Sequence, residues 1–431
     1  MKKILLIFII TIFSLNKSFA ITLTEALIQT YKNNTELNAE RENIKVSRED
    51  LKISKSSYLP TLTITGSKSI EETKKLTNQS GGDASISDVD PFTTSIKLEQ
   101  TLVDLGRNAD FKKNQIGINL AEAKLLKKEQ DILYEAINSY TGLILSNEKS
   151  SINDKNVNLL ERQVETDRIR LDRGEITFTD LAQSESSLAG AKAQLIAAQN
   201  DLVVSKANFE KIIGKKPSEN IQEIKSIKLN LPESLAAAYS ISNSENPDLQ
   251  IATIEFKQSK LDVIIAGSEL SPSATLSYKI AEQDDVSATV KDRTQQTVTA
   301  TATWPLFSGG SNIFNLRKAQ ELRNQKELLL EDSKKSNETD VANAWSQYQS
   351  SKSVLDSIRS QVKAAEIANE GITLEYESGT SRTTMEVIQS RSILLNSRIN
   401  LASSERNFLV SQFNLLSAVG RLTAGHLNLK K

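Results

Sequence analysis

The chain of 431 residues contains no cysteine, one histidine and seven prolines, and only 5% of it is aromatic. Without thiols there is no disulfide, no thiolate nucleophile and no cysteine-bearing metal cluster. The single histidine, His426, lies near the C-terminal end and reads as neither a ligand nor a catalytic base. No Gly-x-x-x-x-Gly-Lys loop or Cys/His spacing is present, so nucleotide and zinc chemistry have no motif to rest on. These absences point away from an enzyme and imply no cofactor and no metal. An excess of one charge is missing too: 53 basic residues face 54 acidic ones. That balance argues against nucleic acid as a partner. Beyond the first 20 residues no apolar run approaches the ~20 residues of a membrane-spanning helix.

Met1–Ala20 reads as a signal peptide, with Lys2 and Lys3 ahead of an apolar run over 4–13 and Ser18-Phe19-Ala20 as a small-x-small cleavage site. Cleavage would start the mature chain at Ile21, and no cysteine follows to carry a lipid. Losing Lys2, Lys3 and Lys17 takes the 53 basic residues to 50 against 54 acidic ones, a net charge of −4. An exported chain without disulfides must hold itself together by packing alone. With 38% of its residues hydrophobic, narrow helical seams suit it better than one large core.

Proline is scarce, and its placement is informative. None falls within 107–172, 174–214, 311–377 or 383–419. Over 174–214, Leu181, Leu188, Leu195, Leu202 and Phe209 recur every seventh residue, with Ser184, Ala191, Ala198, Ser205 and Ile212 three places on. A strict heptad keeps one seam against its neighbours, and small seam residues let backbones approach. Val387, Leu394, Leu401, Phe408 and Leu415 repeat the design, followed by Ser390, Ser397, Ser404, Ser411 and Ala418. An offset of 206 maps Asp180 onto Glu386, Gln183 onto Gln389 and Gly214 onto Gly420. The chain is a duplication.

The first repeat covers 21–214. Helix is expected over 22–57, ended by Pro60, then strands at about 59–66 and 95–104 around a long polar loop at 66–94. Helices follow at 107–172 and 176–213. A linker spans 215–233. The second repeat, 234–420, offers strands at about 273–281 and 295–304 around a loop at 281–293, with helices at 311–377 and 383–419. The tail 421–431 reads as poorly ordered. A helix over 107–172 would be about 99 Å long at ~1.5 Å per residue. Gly174 and Gly379 mark the two stops where the long helices turn back.

In the strands apolar and polar residues alternate: Leu62 and Ile64 against Thr61, Thr63 and Thr65; Val298, Ala300 and Ala302 against Thr297, Thr299, Thr301 and Thr303. A half-buried sheet of a soluble domain gives such a pattern, and so does a membrane strand of about 9–11 residues. The threonine-rich polar face suits a wet lumen. Tyr58, Phe92, Trp304 and Phe307 near strand ends suit an interfacial girdle. Four strands cannot close a barrel, and lipid does not tolerate an open edge, so several chains would have to share one.

Several landmarks carry a family resemblance. They are Leu59-Pro60 with Pro272, Asn246-Pro247-Asp248-Leu249, Trp304-Pro305-Leu306-Phe307-Ser308-Gly309-Gly310, and the two turns at Gly174–Leu181 and Tyr376–Val387. Their order, repeated twice, resembles the TolC-like outer-membrane efflux protein family over nearly the whole mature chain. The resemblance implies an α+β membrane protein in which antiparallel coiled-coil helices form a periplasmic α-barrel. Four strands per chain would contribute to a trimeric twelve-stranded β-barrel in outer-membrane lipid. It also implies a homotrimer that works with a periplasmic adaptor and an inner-membrane transporter. In that family an acidic ring lies at the inner tip, where Glu386 stands here; the position of a second ring holds Gln389. The family's tip latch maps to Asp180, Tyr376 and Arg382, with one extra residue at Thr380-Ser381. Judged alone, Asp180, Glu386 and Arg382 also suit plain helix-end charges.

The function implied is an outer-membrane exit duct for multidrug efflux, type I protein secretion or both. The rival reading is a periplasmic coiled-coil structural or adaptor subunit, which accounts for the heptads and leaves the four strands unexplained. Nothing in the residues selects the cargo.

Overall fold

The computed structural model describes residues 21–73, 87–217, 229–287, 290–378 and 382–429. The signal peptide, most of the linker, Gly379 and Thr380-Ser381 lie outside them. In chain order the elements are α1 (Leu23–Asn33), α2 (Thr35–Ser56), β1 (Thr61–Lys68), β2 (Glu71–Thr73), β3 (Ser87–Val89), β4 (Phe92–Val103), α3 (Arg107–Asp172) and α4 (Phe178–Ile213). The second copy supplies α5 (Leu235–Glu245), α6 (Pro247–Ser268), β5 (Ser273–Ser287), β6 (Val290–Thr303), α7 (Ser311–Glu377) and α8 (Thr384–Ala418). The chain divides into two compact units. One comprises residues up to 38, 126–246 and 337 onward; the other comprises 39–125 and 247–336.

In the first unit the heptad seams are buried: Leu181, Ser184, Ala191, Ala198 and Phe209 on α4, and Val387, Ser390, Ser397, Ser411 and Leu415 on α8. Small side chains bring facing helices close enough for seam hydroxyls to meet. Ser146 bonds Ser205 at 2.8 Å, and Ser351 bonds Ser411 at 2.8 Å. A core gathers Leu23 and Leu27 of α1, Leu133, Ile137 and Tyr140 of α3, Phe209 of α4 and Phe413 of α8. The Tyr140 hydroxyl donates to the Ile21 carbonyl at 2.7 Å, and its burial pushes its pKa up to about 12. Each large apolar side chain buried there contributes roughly 1.5–3 kcal/mol.

Three expectations are corrected. The tail is packed: Leu422, Ala424 and Leu429 belong to this core, and the Ala424 N–H donates to the buried Glu129 carboxylate at 2.6 Å. Their apolar side chains gain more from the core than the short segment loses in freedom. The helix expected over 22–57 is two, because Asn34 caps α1 and its Oδ1 accepts from Leu37 N at 3.0 Å. Asn246, its mate in the second copy, likewise ends α5, and Pro247 opens α6, where its missing N–H is no loss. The region 281–293 is not a loop, since β5 runs on to Ser287 and β6 starts at Val290. Its residues are polar on both faces, so alternation gave no sign of them. The long loop at 66–94 also holds the short β2–β3 ribbon.

The second unit carries a four-stranded antiparallel sheet in the order β1-β4-β5-β6. The two hairpins are therefore joined through β4 and β5, leaving β1 and β6 as edges. Asp104 opens α3, its Oδ1 accepting from Gly106 N at 2.9 Å and Arg107 N at 3.2 Å.

Gly214 and Gly420, mates in the duplication, both stop a helix in the left-handed region, at φ 78° and 87°. A Cβ at Gly214 meets nothing within 4 Å, whereas one at Gly420 would lie 2.4 Å from the Glu245 carbonyl oxygen. Gly214→Ala is expected to destabilise by about 1–2 kcal/mol, the left-handed penalty alone, and Gly420→Ala by roughly 3 kcal/mol or more. Melting of the helical dichroism signal in detergent, compared between the two variants, checks the difference.

Candidate functional site

Two regions concentrate polar residues in an organised way: the turns that join the long helices, and one face of the sheet. At the first turn Gly174 adopts φ 74°, with its N–H on Leu171 O and the Glu175 N–H on Arg170 O, both at 2.9 Å. These bonds satisfy the last carbonyls of α3. Thr177 and Asp180 then form a reciprocal capping box on α4: Asp180 N donates to Thr177 Oγ1 at 3.2 Å, and Thr177 N to Asp180 Oδ2 at 2.9 Å. The Thr177 hydroxyl and N–H hold the Asp180 pKa below its ordinary value. At the second turn Thr383 and Glu386 repeat the box on α8, with Thr383 N on Glu386 Oε2 at 2.8 Å. Glu386 is lowered as well, first by the Thr383 N–H and then by Arg382.

The residues expected to latch the turns are only partly brought together. Arg382 bridges Glu375 (2.6 Å) and Glu386 (3.1 Å) on its own side. Among the described residues nothing bonds Asp180 to Arg382 or to Tyr376; its carboxylate is taken up by its own cap. Gln389 is exposed on α8, one turn past Glu386. The α4–α8 approach beside it is marked by Gln183 Nε2, 3.3 Å from Met385 Sδ.

Tyr376 is buried, and it leads to a residue that sequence reasoning missed. Its hydroxyl donates to Asp167 Oδ1 at 3.2 Å and lies 3.0 Å from Thr384 Oγ1. Asp167 is fully buried and also accepts from Ser184 Oγ at 2.5 Å and Gln163 Nε2 at 2.8 Å. One carboxylate thus ties α3, α4 and α7, with α8 joined through Thr384. The Arg170 guanidinium caps the other side, 4.4 Å from the Tyr376 ring centroid, and donates to the Tyr376 carbonyl at 3.3 Å. Arg170 and Asp167 belong to the first copy and Tyr376 to the second, so the two copies clasp each other. Arg391 supplies positive charge nearby; burial lowers its pKa, and Glu377, Asp167 and Tyr376 oppose that shift. The available signal was an acid at a seam position: Asn153, Leu160, Asp167 and Gly174 step by seven.

The sheet has two unlike faces. Register places Leu62 with Leu98, Leu98 with Tyr278 and Tyr278 with Val298, and Ile64 with Ile96 and Ile280. The opposite face carries Thr61, Thr63, Thr65, Ser95, Lys97, Glu99, Thr275, Ser277, Lys279, Thr297, Thr299, Thr301 and Thr303. Leu62, Ile64, Val298, Trp304, Leu306 and Phe307 are all exposed, Phe307 at 86%. Such a contiguous apolar surface marks an interaction with lipid or protein. Among the described residues no helix is long and apolar enough to cross a membrane, and no cluster could hold a metal ion.

A family model described as outer membrane efflux protein matches residues 27–215 and 238–421. The outer membrane efflux protein BepC of Brucella suis is 27% identical over 414 residues, covering 95% of this chain and 87% of BepC. The proteases secretion protein PrtF of Dickeya chrysanthemi is 22% identical over 439 residues, covering 99% and 93%. Among solved structures, the Campylobacter jejuni CmeC outer membrane channel matches with a TM-score of 0.83 at 15% identity, covering 93% of this chain and 86% of that one. That last likeness is one of fold.

The cap at Glu386 gives a pH signature. Its folded pKa lies below the ordinary 4.5. Its contribution to the helix start is therefore complete above that value and is lost as pH falls through the depressed one. Hydrogen-exchange protection of the Thr383 and Glu386 amides, corrected for intrinsic rates, is expected to fall as pH drops below the ordinary carboxylate value and through the depressed one. In Glu386→Gln that dependence should vanish while partial protection remains. Flat protection in the unmodified chain would show that the carboxylate does not hold the cap.

Proposed function

The chain belongs to the outer membrane efflux protein family, and from that premise we propose that three copies of it form one exit duct. It is an outer-membrane channel protein of the kind used in efflux and type I secretion, and its family is one of channels rather than enzymes. The observation that carries the trimer is the open sheet: an apolar face, a threonine-rich face and two unpaired edges. In hydrocarbon each unsatisfied backbone group costs several kcal/mol, so the edges must be paired. Three four-stranded sheets closing edge to edge give twelve strands, with the apolar face toward outer-membrane lipid and the threonines inside.

The tips would meet a periplasmic adaptor and an inner-membrane pump. Cargo pushed by the pump passes through without chemistry, and BepC and PrtF, named for efflux and for secretion of proteases, show how widely cargo varies among relatives. Three copies of Glu386, each partly neutralised by Arg382, with Gln389 one turn on, would ring the entrance. The latch keeps Tyr376 from the expected trio and takes Asp167 in place of Asp180. A hydrogen bond to a charged group is worth about 1.5–3 kcal/mol, so three copies favour closure yet yield to a docking partner. A coiled-coil subunit without a channel leaves the exposed apolar sheet face without a use.

The mature protein is expected to extract only with detergent and to run as a heat-resistant trimer. A detergent-free monomer with full secondary structure would contradict the reading. In planar bilayers Tyr376→Phe and Asp167→Asn should each raise single-channel conductance several-fold with the trimer intact, while Asp180→Ala should not. Unchanged conductance in both of the first two variants would remove the latch.

A further inference from the structure

The polar face of the sheet is not uniformly neutral, and its charges are placed in rows. Backbone register sets Thr63, Lys97, Lys279 and Thr297 side by side across all four strands. The row below holds Thr61, Glu99, Ser277 and Thr299. Two rows above the lysines stand Ser67, Thr93, Gln283 and Arg293. These rows therefore offer three cations, Lys97, Lys279 and Arg293, against one carboxylate, Glu99, which Lys97 holds in an ion pair. The Lys279 side chain is exposed and makes no hydrogen bond or ion pair with any described residue.

Like charges directly opposite each other destabilise a strand pair. Elsewhere this face solves the same problem of a wet wall with threonine and serine, which carry no such cost. The whole chain, moreover, has a net charge of −1, and its turns carry Glu375 and Glu386. The positive face is therefore a local feature, not a bulk bias. We propose that Lys97 and Lys279, reinforced by Arg293, form a cationic belt inside the barrel that binds multivalent anions and favours anionic over cationic cargo at the exit. The inference rests on the three-protomer barrel, in which this face turns inward. Closure brings three copies of the Lys97–Lys279 row into one enclosed wall, where like-signed charges focus their field on the lumen. The class of ligand is a solute carrying several phosphates or carboxylates; a single carboxylate would meet one lysine and gain little.

The test uses the full mature chain in planar bilayers, with sodium tripolyphosphate added to the side bearing the β5–β6 turn. Channels are expected to be blocked, with the block weakening as salt is raised. Lys97→Gln with Lys279→Gln should weaken the block by about tenfold or more while trimer and open conductance stay as they were. Lys279→Gln alone, which leaves the Lys97–Glu99 pair in place, should give an intermediate loss, so a poorly assembling double variant does not rescue the idea. Equal block in the unmodified and variant channels, or no block at all, overturns the belt and leaves the barrel standing. Failure of the unmodified chain to form any channel overturns both.

Discussion

A strand edge in lipid presents N–H and C=O groups that nothing around it can satisfy. That constraint governs this molecule, because its sheet has four strands, two edges and one apolar face. A soluble sheet would bury its apolar face under helices or guard its edges with charge. Here β1 carries threonines, Leu62 and Ile64 along its length, and β6 is threonine, alanine and valine over its last turns of alternation. Such edges are built to be paired. The proposed trimer rests on them, and so does the proposed division of the sheet into a lipid face and a lumen face.

The helices obey a different constraint, close approach. Serine and alanine recur on the seams of α4 and α8, where hydroxyls from facing helices meet at 2.8 Å. At the turns the two copies meet directly. Arg170 of the first copy stacks on Tyr376 of the second. The tip is thus held by a buried carboxylate with three donors and by two exposed capping boxes. The boxes fix where each returning helix begins; the buried network fixes which helices stay together. Only the second is placed to act as a latch.

Much of this was legible in the sequence, because heptads and alternation report directly on which side of an element is covered. The duplication, the stop at Gly174 and the threonine face all follow from residue spacing. What escaped has physical reasons. The upper halves of β5 and β6 are polar on both sides, so no period marks them, and only pairing with β4 and with each other makes them strands. The tail looked loose because eleven residues with His426 and three basic residues show no period, yet Leu422 and Leu429 find places in a core made by α1, α3 and α8. Asp180 and Arg382 were read as partners because they match the family's latch positions, whereas each has nearer partners in its own turn: Thr177 for one, Glu375 and Glu386 for the other. Asp167 stood on a seam as an unexplained acid. Two of its partners come from other helices, Ser184 and Tyr376, at separations of 17 and 209 residues, which no local pattern reports.

The central claim is that β6 of one protomer pairs with β1 of the next. The natural chain has no cysteine, so introduced pairs report without background. One cysteine at Leu62 or Thr63 of β1 and one at Val298, Thr299 or Ala300 of β6, oxidised in intact outer membranes, sample the possible registers. The account predicts that at least one pair yields covalent dimers and trimers on denaturing gels, collapsing to monomer on reduction. If every pair gives only monomer while the channel remains assembled, the barrel is not closed by these edges.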